Sequence, residues 1–175
     1  MTKAPKAKVT AILVVEDSPG DARLLREMFD QDRAKSMHMT HVCTMAEAEK
    51  HLAEHFVDIV LLDLGLPDAE GMDAVHRAHA VAPSVPLVVL SGLDDERMAL
   101  DALHDGAQDY LIKGQIDSRG LLRSLRYAIE RKSLQAAALA LSQSVDVARK
   151  EAEAAAQSQD RQPAFHLPPP IGPAQ

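Results

Sequence analysis

Apolar residues concentrate in four short, dense runs, at residues 11–15, 57–62, 85–90 and 110–112. Apolar side chains on consecutive positions suit strands covered on both faces, as in a parallel sheet. A fainter strand signal lies at 40–44, where β-branched content is limited to Thr and Val. The stretches between these runs read as helices. Residues 19–30 place Leu24, Leu25 and Met28 on one face, with Ser18 as N-cap and Pro19 at the first helical position. Residues 44–54, 71–80 and 94–104 follow, the last opening on Asp94, Asp95 and Glu96, acids that favour a helix N-terminus. Strands alternating with helices predict βα units and a doubly wound sheet. Seven glycines (Gly20, Gly65, Gly71, Gly92, Gly106, Gly114 and Gly120) fall at the turns and element ends that this pattern requires.

From Ser118 to about residue 159 the chain is rich in Ala, Leu, Arg, Glu and Gln, all good helix formers. The apolar phase changes partway along. Leu121, Leu125, Ala128 and Ile129 share a face suited to packing on a sheet. Leu134, Ala138, Leu141, Val145, Ala148, Ala152 and Ala155 then follow spacings of four and three. That is a coiled-coil seam over about three heptads. Four of its seven positions are Ala, so a weak or conditional dimer and a solvated single helix are weighed equally. The organisation expected is therefore a loose basic tail at 1–8, a compact domain over 9–133, a helical extension over 134–160 and a Pro-rich tail or linker over 161–175.

Composition removes several function classes. Nineteen Lys and Arg stand against 26 Asp and Glu, and aromatics make up 3% of the chain, which opposes direct nucleic-acid binding by charge or by base stacking. No apolar run approaches the ~20 residues that span a bilayer, and no apolar core follows the basic N-terminus as in a secretory signal. The lone Cys43 excludes an internal disulfide. A cytoplasmic protein without membrane contact is expected. The charge is unevenly spread: residues 11–113 hold 20 acids and 8 bases, whereas residues 114–133 hold 2 acids and 5 bases.

The chemistry is read at the strand ends, because open α/β sheets build their sites at the carboxyl edge. The first strand ends Val15-Glu16-Asp17, the third Leu62-Asp63 and the fourth Leu90-Ser91. If these strands are neighbours, Glu16, Asp17 and Asp63 converge. Two like charges 4 Å apart repel by roughly 4 kcal/mol at an effective dielectric near 20, so the cluster calls for a cation. All-oxygen ligands suit Mg²⁺ or Mn²⁺. A carboxylate beside such an ion can attack phosphorus, with Lys113 as a compact positive charge for the phosphoryl oxygens and Ser91 as a hydroxyl donor. Singly, each residue is more simply an acidic turn, a loop acid or a surface lysine. Their joint placement makes the bland reading untenable.

Order and spacing of these motifs resemble the receiver domains of two-component response regulators. The resemblance covers about residues 11–132. It rests on Ile12-Leu13-Val14-Val15-Glu16-Asp17-Ser18-Pro19-Gly20-Asp21, on Leu61-Leu62-Asp63-Leu64-Gly65-Leu66-Pro67-Asp68 with Gly71, on Leu90-Ser91-Gly92, and on Gly106-Ala107-Gln108-Asp109-Tyr110-Leu111-Ile112-Lys113. It implies a flavodoxin-like, five-stranded parallel sheet with five helices. It implies Asp63 as phosphoacceptor and Mg²⁺ held by Asp17, Asp63 and the Gly65 carbonyl, with Glu16 acting through water. It further implies Ser91 as the switch hydroxyl that bonds the phosphoryl group, Lys113 as that group's cationic partner and Tyr110 as an aromatic that turns inward. The partner implied is a sensor histidine kinase or phosphotransfer protein, and no enzyme activity is expected beyond self-catalysed phosphotransfer and slow loss of the phosphoryl group. Two departures stand out. Gly114 replaces the Pro usual after the lysine, which predicts a more flexible loop over 114–117. Gly65 and Leu93 occupy the positions that bear on dephosphorylation, and neither can orient a water, so a phosphoryl lifetime of minutes or longer is expected.

Other signals are weaker. His51 and His55, like His76 and His79, have helical metal-ligand spacing but no third ligand, and a solvated face is favoured. The basic run Arg119, Arg123, Arg126, Arg131 and Lys132 is solvated or pairs with acids of a second subunit. A haloacid-dehalogenase-type phosphatase would need an acid at position 65, and a flavodoxin would need a Ser/Thr/Gly-rich phosphate loop and flanking aromatics. An unphosphorylated scaffold is opposed by the full acceptor set. No output module is recognisable in the sequence, which leaves open a front part of a longer cyclase, phosphatase or kinase.

Overall fold

The structure, a computed structural model, describes residues 9–31, 37–92 and 94–159. Strands β1 (Thr10–Val15), β2 (Met37–Val42), β3 (Ile59–Asp63), β6 (Leu87–Ser91) and β7 (Asp109–Ile112) form one sheet in the order β2-β1-β3-β6-β7. All its pairings are parallel. Helices α1 (Pro19–Asp30), α2 (Met45–Glu54), α3 (Met72–Val81), α4 (Glu96–His104) and α5 (Ser118–Gln159) follow the strands in alternation. The expected five-stranded, five-helix α/β fold is thus present.

Alternation along each buried strand explains the dense apolar runs. Leu13, Val15, Val60, Leu62 and Val89 point to one layer, with Met45, Ala48, Ala74, Val75 and Ala102 of α2, α3 and α4. Ile12, Val14, Ile59, Leu61, Val88 and Leu90 point to the other, with Leu25 and Phe29 of α1 and Leu121, Leu125 and Ala128 of α5. Burying one such Leu stabilises the fold by roughly 1.5–3 kcal/mol. The expected face of α1 needs correction: Ala22, Leu25 and Phe29 are buried, whereas Leu24 is 47% exposed. A sheet-packing helix buries a stripe, and Leu24 lies at its edge.

Local chemistry sets the boundaries. Ser18 caps α1 as expected, its hydroxyl accepting from the Asp21 amide. The Thr44 hydroxyl accepts from the Glu47 amide while Glu47 returns to the Thr44 amide, a capping box that starts α2 at Met45. The edge strand β2 therefore lies earlier than the expected 40–44. The Asp95 carboxylate accepts from Arg97 and Met98, so α4 begins after the acids at 94 and 95 rather than on them. A two-residue hairpin, β4 (Gly65–Leu66) with β5 (Ala69–Glu70), forms where only a turn was expected.

In α5, the Asp117 carboxylate accepts from the Gly120 amide at the start. Residues up to 136 belong to the sheet domain, and residues from 137 form a separate unit. The seven seam positions are exposed in the single chain, and so are Leu139 and Val147, which lie off the seam. The tails at 1–8 and 161–175 lie outside the described residues.

Candidate functional site

Strand order places β1 beside β3, with the crossover from β1 running to β2 and that from β3 running to β6, so the chain leaves the two strands in opposite directions and a cleft opens at their carboxyl edge. β1 delivers Glu16 and Asp17 there, and β3 delivers Asp63. One carboxylate oxygen from each of the three lies within 4.8 Å of the others. Glu16 and Asp63 are buried and Asp17 is exposed. The convergence expected from the strand ends is present.

Lys113 comes from the far end of the sheet. Its amide donates to the Ser91 carbonyl (2.7 Å), which continues the β6–β7 pairing by one residue and aims the side chain back across the edge. Its ammonium lies 2.7 Å from Glu16 Oε2, 2.9 Å from Asp63 Oδ1 and 2.9 Å from Asp21 Oδ2. Asp63 Oδ2 accepts from the Gly65 amide (2.9 Å), and a Cβ at position 65 would sit 3.1 Å from that same oxygen. A side chain here would press on the Asp63 carboxylate by a few tenths of an ångström. Glu16 Oε1 accepts from the Ser18 amide (3.0 Å). Glu16 Oε2 is buried against the Lys113 ammonium, its contact in the cluster.

The electrostatics follow from these contacts. Burial pushes the Glu16 carboxyl above its ordinary range, and Lys113 and the Ser18 amide only partly offset it. Burial alone would lower the Lys113 pKa, but hydrogen bonds to Glu16, Asp21 and Asp63 outweigh it and hold the ammonium firmly charged. A carboxyl perturbed by burial beside a specific charged partner in a cleft is the pattern of a functional site.

Ser91 is buried at the end of β6. A cleft of about 200 Å³ is lined by Asp63, Gly65, Glu70, Ser91, Gly92 and Met98, so the acid and the hydroxyl share one opening. A larger groove of about 730 Å³ between Gln31 and the arginines of α5 contains none of the acidic residues and is an open surface feature. Tyr110 is half-buried against the core beside α3 and α4. Gly114 has φ +79°, and the Gln115 amide donates to the Ile112 carbonyl across it (3.1 Å). Residues 112–115 thus form a hydrogen-bonded turn with Gly114 left-handed, a conformation proline cannot take. Leu93 lies outside the described residues.

Asp21 closes the first sequence motif but has no role assigned from sequence, although it stands in the first turn of the helix that leaves the site, four residues after Asp17. The histidine pairs stay apart from the cluster. His51 and His55 stack on each other at 4.4 Å, and His76 bonds Asp105 (2.7 Å).

A parallel five-stranded sheet with three acids, a hydroxyl and a lysine at its carboxyl edge defines a class, and the chain belongs to the response regulator receiver domain family, whose model matches residues 12–126. It is 35% identical over 103 residues to the virulence transcriptional regulatory protein PhoP of Salmonella typhimurium, covering 58% of this chain and 44% of that one. It is 33% identical over 129 residues to the KDP operon transcriptional regulatory protein KdpE of Escherichia coli, covering 71% and 53%. The chain thus spans about half the length of the curated relatives it matches. A CheY-like receiver domain protein from Methanospirillum hungatei superposes with a TM-score of 0.64 at 20% identity, covering 73% of this chain and 99% of that one.

Proposed function

We propose that this chain is a phosphorylation-switched receiver that takes a phosphoryl group onto Asp63 from a sensor histidine kinase or phosphotransfer protein. The observation that carries the reading is the convergence of Glu16, Asp17 and Asp63 with the Lys113 ammonium on Asp63. The donor set is three carboxylates with one oxygen each within 4.8 Å of the others, which fits a hard divalent cation. Asp17, Asp63 and the Gly65 carbonyl would hold Mg²⁺, or Mn²⁺ in its place, with Glu16 acting through water. Bound there, the cation offsets negative charge on the acceptor and on the incoming phosphoryl oxygens.

The steps assigned to the chain's own groups are few. A carboxylate oxygen of Asp63 bonds to phosphorus as the phosphorus–nitrogen bond to the donor histidine breaks, and the electron pair returns to the imidazole. Lys113 and the Ser91 hydroxyl then stabilise the phosphoryl oxygens. Movement of Ser91 towards them vacates space that Tyr110 fills, and the surface of α4, β7 and α5 changes with it. Residues 9–133 form the receiver and 134–160 carry a homodimer contact together with α5. The receiver's net negative charge opposes direct nucleic-acid contact by this part of the chain. Among the described residues no helix is long and apolar enough to cross a membrane. A second reading, the front part of a longer regulator, is favoured by the half-length match to transcriptional regulators.

Intact mass and oligomer size, measured with Mg²⁺ and acetyl phosphate, test this. Wild type should gain one phosphoryl group and Asp63→Asn none. Equal modification of both would refute the site.

A further inference from the structure

Resting on that reading of Asp63, we propose that Asp21 is a positioning residue that competes with the phosphoryl group for Lys113 and so holds the site towards its unphosphorylated state. An ammonium has three N–H groups, and three carboxylates crowd this one. Asp21 and Asp63 each lie 2.9 Å from Nζ, which places their oxygens no more than 5.8 Å apart. Asp21 is not among the three clustered carboxylates, and its carboxylate accepts from the Lys113 ammonium (2.9 Å). Its aim is fixed, because its own amide is bonded to the Ser18 cap and it lies in the first turn of α1.

Phosphorylation places roughly −1.5 to −2 charge and three acceptor oxygens beside Lys113. Lys113 must then release a present partner. Glu16 is 1% exposed and cannot be returned to water, whereas Asp21 is 43% exposed and can. Asp21 is therefore the partner that yields. Its own charge, left near the phosphoryl group, opposes the modified state further.

The test compares wild type, Asp21→Asn and Asp21→Ser as full chains, with folding checked by circular dichroism. Phosphorylation by acetyl phosphate with Mg²⁺ should be about threefold to tenfold faster in both variants at low salt, the gain shrinking as salt rises. In a Lys113→Met background, the gain from Asp21→Asn should be much smaller, because most of the effect runs through the lysine. In metal-free protein, the Lys113 ammonium protons should exchange with water faster in Asp21→Asn by nitrogen-15 NMR. Wild-type phosphorylation rates in both variants would overturn the proposal. So would an equal effect of Asp21→Asn with and without Lys113. Full phosphorylation of Asp63→Asn would instead remove the reading of the acceptor itself.

Discussion

Gly114 shows how much of a site is written in one backbone angle. At φ +79° it turns the chain directly after Lys113, and an L side chain there is strained by about 1 kcal/mol or more. Gly114→Ala should therefore lower stability by about 1 kcal/mol in denaturant titration. Gly114→Pro, which forces φ to about −65°, should also displace Lys113 and slow phosphorylation on Asp63. At this scale the sequence is informative where chemistry sits at strand ends: Glu16, Asp17, Asp63 and Ser91 could be placed from the apolar runs that precede them. Asp21 could not. Its contact spans 92 residues, and only the sheet order makes it a neighbour of Lys113.

Elements are joined by residues that a local reading treats as turn chemistry. Asp68, in the loop after Asp63, accepts from the Met45 and Ala46 amides (2.8 and 2.9 Å) and so caps α2 from a distance. Arg77 of α3 donates to the Asp68 carbonyl (2.8 Å) and to both oxygens of Glu49 on α2. The Met45 amide bond, with that of Ala46, keeps the Asp68 carboxyl below its ordinary value of 3.8, against a smaller desolvation effect. A lowered carboxyl contributes stability that is complete above 3.8 and is lost as pH falls through the folded value. Asp68→Asn, which keeps one acceptor oxygen and loses the other, should therefore lower stability at pH 7 by about 0.5–1.5 kcal/mol, and the two proteins should converge in thermal stability in strong acid. The helices at 19–30 and 44–54 were legible because caps and periodicity agree. The strand β2 was less so, since an edge strand of half-buried Met, His and Thr has little signature. The β4–β5 hairpin is too short to carry a period at all.

At the scale of the whole molecule, the acidic body and the basic start of α5 are regions of opposite charge, and residues 137–157 add helix without a buried side chain. A chain ending at residue 136 should keep the thermal midpoint and the phosphorylation rate of the full chain. It should sediment as a monomer with and without the phosphoryl group, whereas the full chain should self-associate through the 134–155 seam. Monomeric sedimentation of both would end the dimer reading. The seam itself was legible as spacing, but spacing does not say what covers it, and four alanines contribute little apolar area.

The origin of Lys113 also bears on how the chain folds. Pairing of β1 with β3 brings Glu16 and Asp63 to one edge, both buried, while the lysine that compensates them arrives only with β7. A nascent chain that has emerged only as far as β6 carries two confined anions without their counterion, an arrangement that penalises early closure of the first half. Docking of the last strand removes that penalty, so closure of the sheet is coupled to the arrival of its C-terminal strand.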